Sequence, residues 1–320
     1  MSNAQHHKAT TRHYQKQNVY DFLFKGFVVL CAFLLVLALF GVFWELFSQS
    51  QLSIQTFGFK FLSTDIWDPV QKLFGAASSI YGTLVSAFIA MAIAVPLSLG
   101  ISLFLTEWCP AWLAKPIGMA IELLAAIPSI IFGMWGLFTF TPYLSNTLQP
   151  FLQKHFSSLP FFKGPPIGIG LLASGIILAF MILPYISSVC RDIFALIPGV
   201  LKESAFGMGS TTWEVTRKVI VPYGFHGIVG ACFLGLGRAL GETMAVTFVI
   251  GNRHEVSLSL FDAGNSIAST LANEFNEASE PLHLSSLIQL GLILFVITFI
   301  VQVISQIWLK KVQKSLGGRL

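Results

Sequence analysis

Glu203-Ser204-Ala205-Phe206-Gly207-Met208-Gly209, continuing to Val219-Ile220-Val221-Pro222, is a polar island between two long apolar stretches. Pro198, just upstream, suits the start of a helix, where a missing backbone donor costs nothing. Gly209 suits the left-handed residue that closes one. Thr211 with Glu214 has the capping-box spacing that opens a second helix, and Pro222 is expected to mark its junction with the next apolar run. Residues 190–222 therefore predict two short helices about a glycine turn, standing off the membrane and rigid enough to move as a unit. An ordinary amphipathic loop is the plainer alternative.

Outward from the island the chain is oily. It is 54% hydrophobic and 11% charged with 30 Phe, whereas soluble domains are about a quarter charged. Apolar runs near the 20 or so residues needed to cross a bilayer as helix lie at about 22–47, 78–105, 116–143, 166–189, 225–250 and 285–309. The expectation is an all-α integral membrane protein with six transmembrane helices. Residues 1–20 form a polar cytoplasmic leader and 21–320 a transmembrane domain. The leader lacks the short apolar core and small-residue cleavage site of a signal peptide.

Most of the 19 Lys and Arg fall inside if both termini are cytoplasmic: Lys8, Arg12, Lys16, Lys115, Arg191, Lys202, Arg217, Lys218, Lys310, Lys311, Lys314 and Arg319 among them. Lys60, Lys72, Lys154, Lys163 and Arg253 fall outside. This is the positive-inside bias. The inner cations suit anionic lipid, and nothing points to nucleic acid. Cys31, Cys109, Cys190 and Cys232 avoid the external loops and read as small apolar residues.

The first outer loop, with Trp67-Asp68-Pro69, reads as a folded interfacial cap containing short helices. A short inner connection predicts that spans two and three form a tight antiparallel pair, and Ala87, Ala90, Ala94 and Ser98 give span two a face for close packing. Pro96, Pro128 and Pro184 either bend their helices or are tolerated for packing. In the last outer loop, Asn265-Ser266 caps a short amphipathic helix carrying Ile267, Leu271 and Phe275, expected on the outer surface. Its acidic end, Glu274, Glu277 and Glu280, reads as a solvated face or, less simply, as a contact for an external protein.

Arg238 and Glu242 are opposite charges inside an apolar run, where ionisable groups are costly and commonly functional. One helical turn would put them on one face, as a self-neutralising pair or as the lining of an anion path. An Arg fork grips an oxyanion, while a neighbouring carboxylate accepts a hydrogen bond from a protonated one, which favours hydrogen phosphate over sulfate. Glu122 can snorkel, pair with an inner basic residue or take part in gating.

Glu203-Ser204-Ala205, Gly209 and Val219-x-Val221-Pro222 resemble the EAA loop of binding-protein-dependent ABC importer permeases, with Ser for the second residue and Val for Ile and Leu. That resemblance implies a type I, MetI-like permease fold and docking of Glu203, Ser204, Ala205, Gly209 and Pro222 in a groove of a cytoplasmic ATPase. The chain has no Gly-x-x-x-x-Gly-Lys-[Ser/Thr] phosphate loop, so ATP and Mg are expected on the partner and no cofactor on this chain.

Trp67-Asp68-Pro69 with Phe74-Gly75, Ile80-Tyr81-Gly82-Thr83-Leu84, Glu122 through Ser129, Thr211-Thr212-Trp213-Glu214 and Arg238 through Ala245 narrow the resemblance to phosphate-transport permeases. It implies a bacterial inner-membrane subunit partnered by a second, PstA-like permease, two copies of a PstB-like ATPase and a PstS-like periplasmic phosphate-binding protein. Arg191 also lies in a motif of that family, as a pathway, gating or loop-anchoring residue. A permease for sulfate or molybdate, or an ion-coupled carrier or channel, are the rival expectations.

Overall fold

The computed structural model describes the backbone of residues 3–156 and 158–316, and the side chains of 21–156 and 158–311. Lys8, Arg12, Lys16, Lys314 and Arg319, used above to orient the chain, lie outside the described side chains. Residues 1–49 form one compact unit and 50–320 a second. The first is a single helix, α1 (Asn3–Gln49), in which Asp21–Gln49 is long and apolar enough to cross a membrane.

The second unit begins with short helices, as expected of the first loop, α2 (Gln51–Phe57) and α3 (Lys60–Ser63). Span two is α4 (Ala77–Trp108), and span three is a pair, α5 (Ala111–Ala125) and α6 (Ser129–Phe156), bent by 90°. Span four is α7 (Leu171–Ala195), followed by α8 (Gly199–Gly207). Span five is α9 (Thr212–Leu240), with α10 (Met244–Val249) beyond it. A short outer helix α11 (Ile267–Glu274) and span six, α12 (Pro281–Leu316), complete the chain. Counting the bent pair as one crossing gives six spans. The described residues hold helices and one isolated bridge, Asp68 to Leu73.

In span three, expected at 116–143, Pro128 takes the first of the two roles open to it and bends the helix. Pro128 has no backbone donor and disfavours helical geometry at Ile127, so the chain turns at 126–128 and restarts at Ser129. Span two packs differently from expectation. Its small face, Ala87, Ala90, Ala94 and Ser98, is buried, but against span four, in a core shared with Leu178, Ile182 and Ile186. Ser98 Oγ donates to the Leu183 carbonyl at 2.9 Å, and a Cβ on Gly175 of span four would lie 2.6 Å from Ile89. Among the described residues span three meets span two at the inner turn that joins them. A stripe of small residues permits close approach to a helix; it does not say which one.

Candidate translocation path and coupling surface

Arg238 lies in the last turn of α9, where the helix dipole favours a cation. Its guanidinium carbon sits 5.8 Å from the centre of the Tyr185 ring of span four, within cation–π range. Among the described residues no carboxylate comes within ion-pair distance of it. The expectation that Arg238 and Glu242 share a helical face does not hold. The helix stops at Leu240 because the chain opens at Gly241, and Glu242 turns forward to accept a long, 3.5 Å hydrogen bond from the Ala245 amide in the first turn of α10. The two charges therefore belong to opposite sides of a helix break and do not neutralise each other.

That break at 241–243 has a counterpart at 126–128. The halves that follow them, α6 and α10, pack on one another. A Cβ on Gly133 would come 2.7 Å from the Phe248 ring and 3.1 Å from the Ala245 Cα, so glycine alone allows this approach. Broken helices survive at membrane depth where the opened backbone is buried in protein or faces a polar cavity.

Near the C-terminal end of span four, Arg191 donates to Glu122 of α5 in an ion pair. Of the readings open for Glu122, pairing with an inner basic residue is the geometry adopted. A side chain on Gly118 would run into the Arg191 guanidinium. Ala114, Lys115 and Met119 complete a cleft of about 340 Å³ around the pair. The Glu122 side chain is half exposed, so the pair adds little stability while keeping two charges at the mouth of the cleft.

The polar island folds through its local signals. Pro198 precedes α8. At the other end the Gly209 amide donates to the Phe206 carbonyl at 2.9 Å and the Ser210 amide to Ala205 at 3.1 Å, the paired closure of a Schellman turn, with Gly209 at φ +86°. Thr211 and Glu214 form the reciprocal capping box. Ala205 is buried beside Phe194, Ile197, Val215 and Ile220. Glu203, Ser204 and Gly209 face outward, beside an apolar rim of Leu196, Val200, Met208 and Trp213 that is 63–81% exposed.

Pro222 is exposed but marks no junction: the helix runs unbroken from Thr212 to Leu240. Residues Thr216–Ile220 form a widened turn in which the Val221 amide reaches the Thr216 carbonyl. Pro222 has no donor to offer the preceding turn, and the wider turn carries the helix past it. The second helix of the island and span five are thus one rod.

Two features escaped the sequence. Lys202 Nζ of α8 lies 2.6 Å from Glu107 Oε1 in the last turn of span two. Between spans five and six, α11 is capped by Ser266 as expected, but it is tucked in, with Ile267 to Thr270 buried, and Glu274 is no solvated charge. It accepts hydrogen bonds from Trp67 Nε1 at 2.7 Å, His283 Nε2 at 3.0 Å and His254 Nε2 at 3.2 Å. Burial pushes its carboxyl up, but the hydrogen bonds of His254, Trp67 and His283 outweigh that and hold it below the ordinary carboxylate range. Glu280 pairs with Lys72 at 3.0 Å. The partners of Glu274 come from distant loops; the one local hint was Trp67 in a segment composed like a folded cap.

The fold recurs in solved transporters. An alginate ABC transporter chain matches with a TM-score of 0.59 at 14% identity, covering 89% of this chain and 95% of its own. A chain of the MetNI methionine ABC transporter matches at 0.55 and 18% identity, covering 77% and 99%. Sequence relatives lie nearer. The phosphate transport system permease protein PstC of Mesorhizobium japonicum is 53% identical over 93% of this chain and 92% of its own length. That of Haemophilus influenzae is 51% identical over 96% and 98%, and a probable one from Methanocaldococcus jannaschii 35% over 89% and 90%. The family model described as "Binding-protein-dependent transport system inner membrane component" matches residues 98–314. On the match to that model and on these relatives, the chain belongs to the family of binding-protein-dependent transport system inner membrane components.

Proposed function

We propose that this chain is a permease subunit of an ATP-driven importer and passes inorganic phosphate across the bacterial inner membrane, with both termini in the cytoplasm. Its partners are a second, PstA-like permease, two PstB-like ATPase subunits that bind ATP and Mg, and a PstS-like external phosphate-binding protein. The relatives named as phosphate permeases support the substrate. The observation that carries a direct role for this chain is Arg238, a guanidinium at a helix break, steadied by Tyr185 and, among the described residues, without a carboxylate partner. A cation left unneutralised at membrane depth is costly, and an oxyanion in transit offsets that cost. Glu242, across the break, accepts a hydrogen bond from the P–OH of hydrogen phosphate and repels a fully ionised oxyanion.

In this reading the exposed face of α8, with Glu203, Ser204 and Gly209, seats on the ATPase, Ala205 anchors the helix from within, and Pro222 lies on the rod that leaves it. ATP binding closes the ATPase pair, α8 and the α9 rod move together, and the path switches from inward to outward facing. Arg191 and Glu122 then hold the inner mouth. Purified complex in vesicles tests this by ATP-driven uptake of labelled phosphate with sulfate as competitor. Arg238→Gln is expected to cut uptake at least about a hundredfold, the loss typical of removing a stabilising charge, and Glu242→Gln to weaken discrimination against sulfate. Wild-type uptake by an assembled Arg238→Gln complex would refute the role.

A further inference from the structure

Rigid transmission from α8 to the membrane helices has an uneven covalent basis. Span four runs into α8 through Leu196 to Pro198, and span five leaves it through Met208 to Thr211, so any displacement of α8 pulls both directly. Span two has no such connection. Yet span two packs along span four and carries the Ala87, Ala90 and Ala94 face of the core, so a switch that left it behind would shear the bundle. The inward side of α8 offers only two residues, Lys202 and Ala205. Ala205 belongs to the core that spans four and five share, and Lys202 reaches span two.

The contact it makes there is built to be stiff. Glu107 lies in the last turn of span two, Phe104–Trp108, with its side chain 8% exposed against 22% for Lys202. At 2.6 Å it is a short, charge-assisted hydrogen bond. A carboxylate this enclosed depends on its partner, because separation strands a charge away from water. The neighbouring turns are fixed as well: Leu105 is buried and Thr106 Oγ1 donates to the Ser102 carbonyl at 3.0 Å. The bond can therefore shift as a unit with both helices but resists their sliding apart.

We infer that Lys202 and Glu107 form a strut that makes the inner end of span two follow α8, and that they are positioning residues for coupling ATP use to transport. The inference rests on the reading of α8 as the ATPase contact, and it adds which membrane helix that contact drives without a covalent link.

The test uses the whole transporter in vesicles and reads phosphate moved per ATP hydrolysed. The neutral double variant Glu107→Gln/Lys202→Met removes both charges at once, so neither is stranded and the fold is spared. Its ratio is expected to fall about tenfold, within the range usual for coupled sites. The reversed pair, Glu107→Lys/Lys202→Glu, is expected to recover most of it. A wild-type ratio in the neutral double, or no recovery in an assembled reversed pair, would overturn the strut. Should the reversed pair fail to assemble, Lys202→Arg replaces it: a ratio near wild type supports the strut, and a loss equal to that of Lys202→Met overturns it.

A second measurement does not depend on phosphate. Spin labels replacing the exposed Trp108 and Leu201 report the distance between span two and α8 with and without an ATP analogue. Constant distance in the wild type and a changing one in the neutral double support the strut, and equal changes in both overturn it. If the wild-type complex shows no ATP-driven phosphate uptake, the substrate reading fails alone and the label distances still decide the strut.

Discussion

At the scale of single residues, Gly209 separates two reasons for a glycine. A Cβ there meets nothing within 4 Å, yet the backbone stands at φ +86°, so the demand is for conformation and not for space. Gly209→Ala is expected to destabilise by about 1–2 kcal/mol, the cost of the left-handed region for an L-residue, and Gly209→Asn by less because Asn tolerates it. Thermal melting of the purified complex checks the order, and equal melting points for wild type and Gly209→Ala would refute it. This turn was legible in the sequence because its determinants, Pro198, Gly209, Thr211 and Glu214, act within a few residues of one another. The partners of Lys202 and Glu274 were not legible. Their pairs span 95 and up to 207 positions, and only the assembled fold says which charges meet.

At the scale of elements, length and hydropathy made the spans readable, but not their interruptions. Pro96 and Pro184 stay inside continuous helices, whereas Pro128 stands at a right-angled break. The residue type is the same; what differs is that the helix after Pro128 has α10 to dock on through Gly133. Likewise Gly227, Gly230, Gly235, Gly237 and Gly241 look alike in sequence, and the helix ends only at the last. Close packing gives a paired prediction. A Cβ on Gly82 of span two would collide with the Asn265 carbonyl oxygen. That carbonyl cannot retreat, because Asn265 is buried and Ile267, two residues on, donates its amide to Thr83 Oγ1 at 3.0 Å. Gly82→Ala is therefore expected to cost about 1–3 kcal/mol, as overpacking does. Gly230→Ala, where the space is open, is expected to be neutral or to stabilise by up to about 1 kcal/mol through helix propensity. Melting in detergent distinguishes them, and a Gly230 variant losing as much as the Gly82 variant would sink the steric account.

At the scale of the whole molecule, Glu274 is where separate outer segments are tied together. Trp67 comes from the connection between α3 and α4, His254 from the loop after α10, and His283 from the first turn of span six. The rings lock against each other: Trp67 stacks on His254 at 5.5 Å with 9° between planes, and His283 on Phe74 at 5.2 Å with 13°. Asn265 Nδ2 lies 3.0 Å from both ring nitrogens of His254 and holds that ring beside Glu274. The other charges at this rim, Glu277 and the Lys72–Glu280 pair, are exposed and contribute little. Glu274 is held below its ordinary carboxylate range, so it binds its proton more weakly folded than in the unfolded chain, whose value is about 4.3. The stabilisation is thus complete above that value and is lost as pH falls through the folded one. Hydrogen exchange across residues 64–76 and 251–283 should change little between neutral pH and about pH 5 once corrected for intrinsic rates, then accelerate in stronger acid as Glu274 becomes protonated. Glu274→Gln should loosen the same segments at neutral pH by about 1–3 kcal/mol, the worth of hydrogen bonds to a charged group, and should flatten their response to acid. If that variant kept the wild-type acid response, the tie between these segments would have to lie in the stacked rings and not in the carboxylate.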